Sequence, residues 1–89
     1  MRDLIKEFID VKIVERGVAI NTAKSYSLDL VQFKSALCPV ELQEATTEDI
    51  ENYLNSIRDA NVSPRTIARK MSCIREFYKF LQSENSFFF

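Results

Sequence analysis

Histidine is absent from this 89-residue chain, glycine occurs once and proline twice. Without histidine there can be no histidine–metal site, no Ser–His or Cys–His nucleophile pair and no histidine pH switch, so most hydrolase chemistry is excluded. So few turn-forming residues argue against an all-β fold, which needs a turn every few residues. No apolar run approaches the roughly 20 residues that a membrane-spanning helix requires.

Cysteine is scarce as well, and the two residues present, Cys38 and Cys73, form no C-x-x-C pair. Two thiols alone cannot make a structural zinc site, so neither a metal nor another cofactor is expected. Both have apolar neighbours, which is typical of half-buried thiols in a reduced cytoplasmic protein. The N-terminus opens an amphipathic pattern that contains acidic residues, so it does not read as a signal peptide.

The charge is segregated along the chain. Hydrophobic residues make up 46% and charged residues 28%, which suits one small packed domain, and the net charge is −1. Residues 38–59 hold one basic and six acidic side chains, whereas residues 60–89 hold five basic and two acidic ones. The net charge argues weakly against nucleic acid as a partner, but the basic C-terminal part keeps that partner open.

Apolar spacing of three and four residues predicts four helices and no strand, an all-α compact four-helix bundle. The first helix runs from Asp3 to Arg16 and is ended by Gly17. The second follows an N-cap at Asn21, and the third is capped by Thr46 or Thr47 and ends at Asn61. The fourth opens at Ser63-Pro64 and runs to about Ser83. The predicted core comprises Leu4, Phe8, Ile9, Tyr26, Leu30, Phe33, Ile50, Leu54, Ile67, Met71, Ile74, Tyr78 and Leu81.

The face of the fourth helix opposite its apolar stripe presents Arg65, Arg69 and Ser72, with no acid before Glu76. Solvated helix faces usually interleave charges of both signs, so this face is a candidate reader of phosphates and bases. An ordinary soluble face remains the alternative. Glu76 is expected to be a solvated carboxylate.

The second helix presents a smaller candidate face. Thr22, Lys24 and Ser25 stand in its first turns, where hydroxyls beside free backbone N–H groups suit a phosphate, although hydroxyl residues are also common as caps there. Asp29 is expected to be solvated. The three tyrosines fall on core stripes, and each is expected to keep its hydroxyl at the surface rather than act as a nucleophile.

Two stretches of the sequence resemble a known family. They are the opening Asn21-Thr22-x-x-x-Tyr26 of the second helix and the run from Ser63 to Leu81 in the fourth. Both look like the core-binding, SAM-like N-terminal domain of tyrosine recombinases, the phage-integrase and Xer-type enzymes. The resemblance covers Leu4 to Leu81. It implies a bundle that clamps a recombination half-site on double-stranded DNA, opposite a separate catalytic domain of the same chain and beside other recombinase protomers.

The resemblance implies that the second and fourth helices enter the major groove. Its site residues, carried onto this sequence, are Thr22, Lys24, Ser25, Arg65, Thr66, Arg69 and Ser72, with Lys70 and Arg75 touching flanking phosphates. Arg69 would read a base edge and Lys24 a phosphate, and since both lie off the apolar stripe, replacing either is expected to leave folding intact. The family's catalytic set includes a histidine, so this domain is expected to be no enzyme.

The domain is expected to span residues 1–84, with 85–89 the start of an interdomain linker or a truncated tail. Phe87-Phe88-Phe89 would be prone to aggregation if exposed. Two rival interpretations stay open. One is a protein-interaction module that uses the acidic third segment and the phenylalanine tail. The other is a free-standing regulator made of this domain alone.

Overall fold

The computed structural model describes residues 3–83, and within that range it contains four α-helices and no strand, which confirms the all-α prediction. A short 3₁₀ turn at Leu42–Glu44 lies between the second and third helices. Met1, Arg2 and residues 84–89, which include the phenylalanine tail and the expected linker, lie outside the described residues. The helices are α1 at Leu4–Val14, α2 at Ile20–Leu37, α3 at Thr47–Asp59 and α4 at Pro64–Ser83.

The ends of α1 follow the predicted signals. Asp3 is the N-cap, and its side chain accepts a hydrogen bond from the backbone N–H of Lys6 at 3.1 Å. Beyond the helix, Gly17 adopts φ of +64°, the left-handed conformation that glycine reaches without a Cβ penalty. The chain can therefore reverse at this point and lead directly into α2.

The start of α2 differs from the prediction. The N-cap is Ala19, which has an extended backbone and no side-chain hydrogen bond, and Asn21 lies inside the first turn. The first backbone hydrogen bond runs from the N–H of Ala23 to the carbonyl of Ala19 at 2.9 Å. Beginning at Ile20 adds backbone hydrogen bonds that a start after Asn21 would lose, and these outweigh one side-chain cap.

The third helix is capped by Thr46 rather than Thr47. The Thr46 hydroxyl accepts from the N–H of Asp49 at 3.1 Å, and the Asp49 carboxylate accepts from the N–H of Thr46 at 2.9 Å. This is a reciprocal capping box, with aspartate in the position more often held by glutamate. At the other end, Asn61 adopts φ of +63° and ends the helix as predicted.

The start of α4 is as predicted. The Ser63 hydroxyl oxygen accepts from the N–H of Thr66 at 3.2 Å, and Pro64 is the first helical residue. Helix α4 is 20 residues long, between about five and six turns, and it contacts all three other helices.

The core is built around aromatic side chains. The Phe8 ring of α1 meets Phe77 of α4 edge-on with centroids 5.5 Å apart, and Phe33 of α2 lies 5.1 Å from Tyr53 of α3. Such pairs join all four helices in one cluster. The buried apolar side chains are Leu4, Ile5, Phe8, Ala23, Leu30, Phe33, Leu37, Leu42, Tyr53, Cys73, Ile74, Phe77, Phe80 and Leu81.

The predicted core stripe of α4 needs correction, because Met71 is 39% exposed. Phe77 and Phe80 face α1, and Cys73 faces α2, as shown by its thiol 3.6 Å from the carbonyl oxygen of Tyr26. A helix that packs against three neighbours buries a wider arc than one stripe. At 100° per residue, the centre of this arc is rotated by roughly 70° from the predicted line.

Candidate nucleic-acid interface

The first turns of α2 form one part of the candidate surface. Thr22 and Lys24 are exposed there, and Ser25 is half-buried. One turn further along, Leu28 is 56% exposed. The predicted free face of α2 is therefore open to a partner, with one ammonium and two hydroxyls at the positive end of the helix dipole.

The N-terminal half of α4 forms the second part. Arg65 is exposed, and Thr66 and Ser72 are half-buried. The Thr66 hydroxyl oxygen accepts a hydrogen bond from the Ser63 hydroxyl at 3.0 Å. It keeps a proton and a lone pair for a further partner.

Arg69 joins α4 to α2. Its Nε donates to Oδ2 of Asp29 and its Nη2 donates to Oδ1, each at 2.9 Å. This bidentate pair is the strongest arrangement that an arginine and a carboxylate make. The Asp29 carboxylate raises the pKa of Arg69, chiefly through these hydrogen bonds. The Arg69 side chain nevertheless stays 41% exposed, so the arginine borders the solvent.

Asp29 is buried, and the expectation of a solvated carboxylate is wrong. The residue is 1% exposed. Burial alone would raise the pKa of Asp29, but hydrogen bonds from Arg69 and Lys70 outweigh burial and hold that pKa below its usual range. The spacing contained the signal, since Asp29 follows Tyr26 by three residues and precedes Phe33 by four, on the buried stripe of α2.

Lys70 also needs correction. The residue is 6% exposed, and its Nζ donates to Asp29 at 3.0 Å and to Gln32 at 2.6 Å. An ammonium that is buried in this way has no room for the flanking phosphate that was expected to meet it. Lys70 instead provides the second cation that a carboxylate in the core requires.

The expectation that replacing Arg69 leaves folding intact is also wrong, because Arg69 is bonded to the buried Asp29. Truncation of Arg69 removes two of the hydrogen bonds that Asp29 receives inside the protein. A buried carboxylate that loses a partner destabilises the fold. Lys24 has no such role, being exposed in the first turns of α2.

Glu76 is paired rather than solvated as expected. Its carboxylate forms an ion pair with Lys12 of α1, whose side chain is largely buried. The Lys12 ammonium also lies 5.6 Å from the centre of the Phe8 ring, within cation–π range. Glu76 therefore contributes to the contact between α1 and α4.

Burial makes Tyr78 and Cys73 weaker acids than usual, because it raises the pKa of each. The Tyr78 hydroxyl donates to the carbonyl of Leu42 at 2.6 Å instead of lying at the surface, and burial raises its pKa. Burial likewise raises the pKa of the Cys73 thiol to about 12, which makes it inert as a nucleophile at neutral pH. Cys38 is exposed and Cys73 is buried, so the prediction of one or two half-buried thiols is wrong for both residues.

A groove between α3 and α4 lies on a different side of α4 from Asp29. Its volume is about 550 Å³, and Ile50, Leu54 and Met71 contribute to an apolar lining. Arg75 and Lys79 also line it, so these two cations lie on the α3 side of the helix. The predicted site residues on α4 are therefore divided, with Arg69 toward α2 and Arg75 toward α3.

Two further findings bound the chemistry. Across residues 3–83, no group of three or more cysteine, aspartate or glutamate side chains is arranged to hold a metal ion. In the same range, no helix combines the length and apolarity needed to cross a membrane.

Comparison with known proteins shows one family. Residues 5–85 match the family described as phage integrase, N-terminal SAM-like domain. The chain is 34% identical over 85 residues to the tyrosine recombinase XerD of Rickettsia bellii, which covers 93% of this chain and 28% of that protein. It is 36% identical over 88 residues to XerD of Listeria monocytogenes, with 94% and 30% covered.

The tyrosine recombinase XerC of Listeria monocytogenes serotype 4a is similar as well, at 35% identity over 85 residues, with 92% of this chain and 28% of that protein covered. The chain therefore spans less than a third of the length of these relatives. No solved structure matches it significantly.

Proposed function

We propose that this chain, which belongs to the phage integrase N-terminal SAM-like domain family, is the DNA-binding module of a site-specific tyrosine recombinase. The family match confirms the resemblance that the Ser63–Leu81 run carries. In this proposal the module performs no catalytic step, and it acts in the cytoplasm beside the catalytic domain of its parent chain and other protomers.

The distribution of charge on α2 and α4 supports the proposal most directly. Lys24, Arg65 and Arg69 are exposed on these two helices, and the acid nearest to Arg69, Asp29, is buried. Exposed cations on two neighbouring helices are what binding to a phosphate backbone requires. The six acidic residues of segment 38–59 lie on α3 and the chain that leads to it.

The proposed contacts follow from exposure. Lys24 and Arg65 bind phosphates as exposed cations, Thr22, Ser25, Thr66 and Ser72 donate or accept hydrogen bonds at the same surface, and Arg69 offers its free guanidinium edge. Arg75 touches a phosphate at the margin of the surface. Lys70 is not among the contacts, because its ammonium is held in the interior.

A salt titration tests this proposal. The whole chain is expected to bind a labelled 24-base-pair duplex weakly, with Kd of about 10⁻⁴–10⁻⁶ M, as for non-specific DNA binding. Lys24→Ala should weaken binding. It should also make the fall of log K with log salt less steep, by about one unit of slope, because one phosphate contact is lost. Binding whose strength does not change with salt would contradict the electrostatic mechanism.

The α3–α4 groove supports a second candidate, a protein-interaction module. Its apolar lining and the rim cations Arg75 and Lys79 suit an amphipathic helix with acidic residues along one edge. Arg65→Ala separates the two candidates, since Arg65 is not among the residues that line the groove. A DNA-binding module loses duplex affinity with this change, whereas a module that uses the groove keeps its partner.

A further inference from the structure

The contact between Asp29 and Arg69 uses a particular edge of the guanidinium. Nε and Nη2 each donate one hydrogen to the carboxylate. A guanidinium has five N–H donors, so both hydrogens of Nη1 and one of Nη2 remain. Those atoms form the end-on fork with which arginine binds two acceptors at once, such as phosphate oxygens or O6 and N7 of guanine.

The Asp29 carboxylate is also bonded to Lys70, on the interior side of the cluster. Oδ1 of Asp29 accepts from Nζ of Lys70 at 3.0 Å, and the same Nζ donates to Oε1 of Gln32 at 2.6 Å. Asp29 and Lys70 are both buried, while the Arg69 side chain is 41% exposed. The cluster is thus fixed in the interior and reaches the solvent at the guanidinium.

We propose that Asp29 is a positioning residue for DNA binding, which holds Arg69 side-on so that its Nη1–Nη2 fork is presented to a pair of acceptors on duplex DNA. The inference rests on the proposed function and goes beyond it, because it gives a role in binding to a buried acid that cannot touch DNA. An arginine held before binding loses less side-chain freedom when the complex forms.

The sign of the effect of Asp29→Asn separates positioning from charge. Removing an acid near a polyanion strengthens binding if the acid acts only through its charge. Positioning predicts the opposite: the affinity of the whole chain for a labelled 24-base-pair duplex at low salt falls about three- to tenfold, the loss of one charge-assisted contact. Glu51→Gln, at an exposed position of α3, makes the same change of net charge and is expected to bind as tightly as the wild type or slightly tighter.

Lys70→Met controls for damage to the cluster. It removes the ammonium that supports the carboxylate but leaves both hydrogen bonds between Arg69 and Asp29, so it is expected to weaken binding less than Asp29→Asn does. A loss larger than that of Asp29→Asn would contradict the positioning role. Circular dichroism checks that each variant is folded at the assay temperature. If Asp29→Asn is not folded, Asp29→Glu replaces it; this variant keeps the charge, displaces the carboxylate by one methylene, and is expected to weaken binding in the same direction.

A double-variant cycle tests whether Asp29 acts through Arg69. Positioning predicts that Asp29→Asn weakens binding in the wild-type background and adds nothing to Arg69→Gln. Two duplexes identify the group on DNA that accepts from Arg69. If Asp29→Asn loses the same affinity for an A·T-only duplex and for a G·C-containing duplex, the acceptor is phosphate. If it loses more affinity for the G·C-containing duplex, the acceptor is guanine.

Asp29→Asn binding as tightly as the wild type or tighter, or effects that add in the double variant, would overturn the positioning role and leave the DNA-binding function standing. A wild-type chain that binds neither duplex at low salt would overturn the function and the positioning role together.

Discussion

Asp29 lies in an unusual environment for an aspartate, because this residue type is mostly exposed and is rarely buried unless it is paired. It is tolerated in the core because Arg69 and Lys70 approach it from α4 and compensate its lost hydration. Buried ion pairs add little net stability compared with apolar residues of similar volume, but they destabilise strongly when one partner is removed. We therefore expect this cluster to fix how α2 and α4 meet.

The pH dependence of stability tests the charge of Asp29. Its pKa in the folded state lies below the unfolded value of 3.8, so its stabilising contribution is complete above that value and is lost as the pH falls through the folded pKa. The free energy of unfolding, measured by urea titration, should therefore decline below about pH 4. In Asp29→Asn this decline should be smaller, and stability at pH 7 should be lower by about 3–5 kcal/mol. An unchanged acid profile in the variant would show that Asp29 is not the linked group.

Phe77 and Met71 give a matched test of which face of α4 is buried. Phe77 is fully buried against Phe8 and Tyr78, so Phe77→Ala should cost about 3–5 kcal/mol. Met71 is 39% exposed, and Met71→Ala should cost about 1 kcal/mol or less. Urea denaturation of both variants measures the difference. Equal costs would mean that the core lies on the line that the sequence predicts.

Local interactions at the helix ends determine where the helices of this fold begin and end. Asp3, Thr46 and Ser63 each accept a backbone N–H at the start of a helix, and Gly17 and Asn61 adopt positive φ beyond the ends of α1 and α3. These are local interactions, so the same residues that predict a boundary in the sequence also form it.

The capping box at α3 can be tested with the two adjacent threonines. Thr46→Ala removes the acceptor for the N–H of Asp49 and should lower the free energy of unfolding by about 1 kcal/mol. Thr47→Ala, inside the first turn, should change it by less than about 0.5 kcal/mol. The comparison is by urea or thermal denaturation at one pH. A larger loss from Thr47→Ala would contradict the cap assignment.

The sequence predicts the four helices well and the buried face of α4 less well. Periodicity identifies Leu30, Phe33 and Ile74 because each lies on an apolar stripe whose residues recur every three or four positions. Cys73 and Phe77 depend on how α1 and α2 are placed around α4, which is a tertiary property. The Asp29–Arg69–Lys70 cluster is missed for the same reason, since its partners are 40 and 41 residues apart and pairing across two helices has no local signature.

At the scale of the whole molecule, one helix serves two surfaces. The α2-facing side of α4 ends in the Arg69 guanidinium, and its α3-facing side lines the apolar groove with Arg75 and Lys79. A net charge of −1 gives the molecule little overall attraction to DNA. Any binding must come from where the cations lie, so the location of charge, with its total held constant, is the quantity to vary.

The most direct test therefore compares two double variants with the same net charge. Lys24→Glu/Arg65→Glu reverses exposed cations on α2 and α4, and Arg16→Glu/Arg58→Glu reverses exposed cations beyond α1 and on α3. Affinity for a labelled duplex is measured at several salt concentrations, with circular dichroism to confirm folding. We predict that the first variant loses at least about tenfold in affinity at low salt and about two units of salt slope, because two phosphate contacts are lost, while the second loses much less. Equal losses in the two variants would contradict the assignment of the DNA-binding surface to α2 and α4.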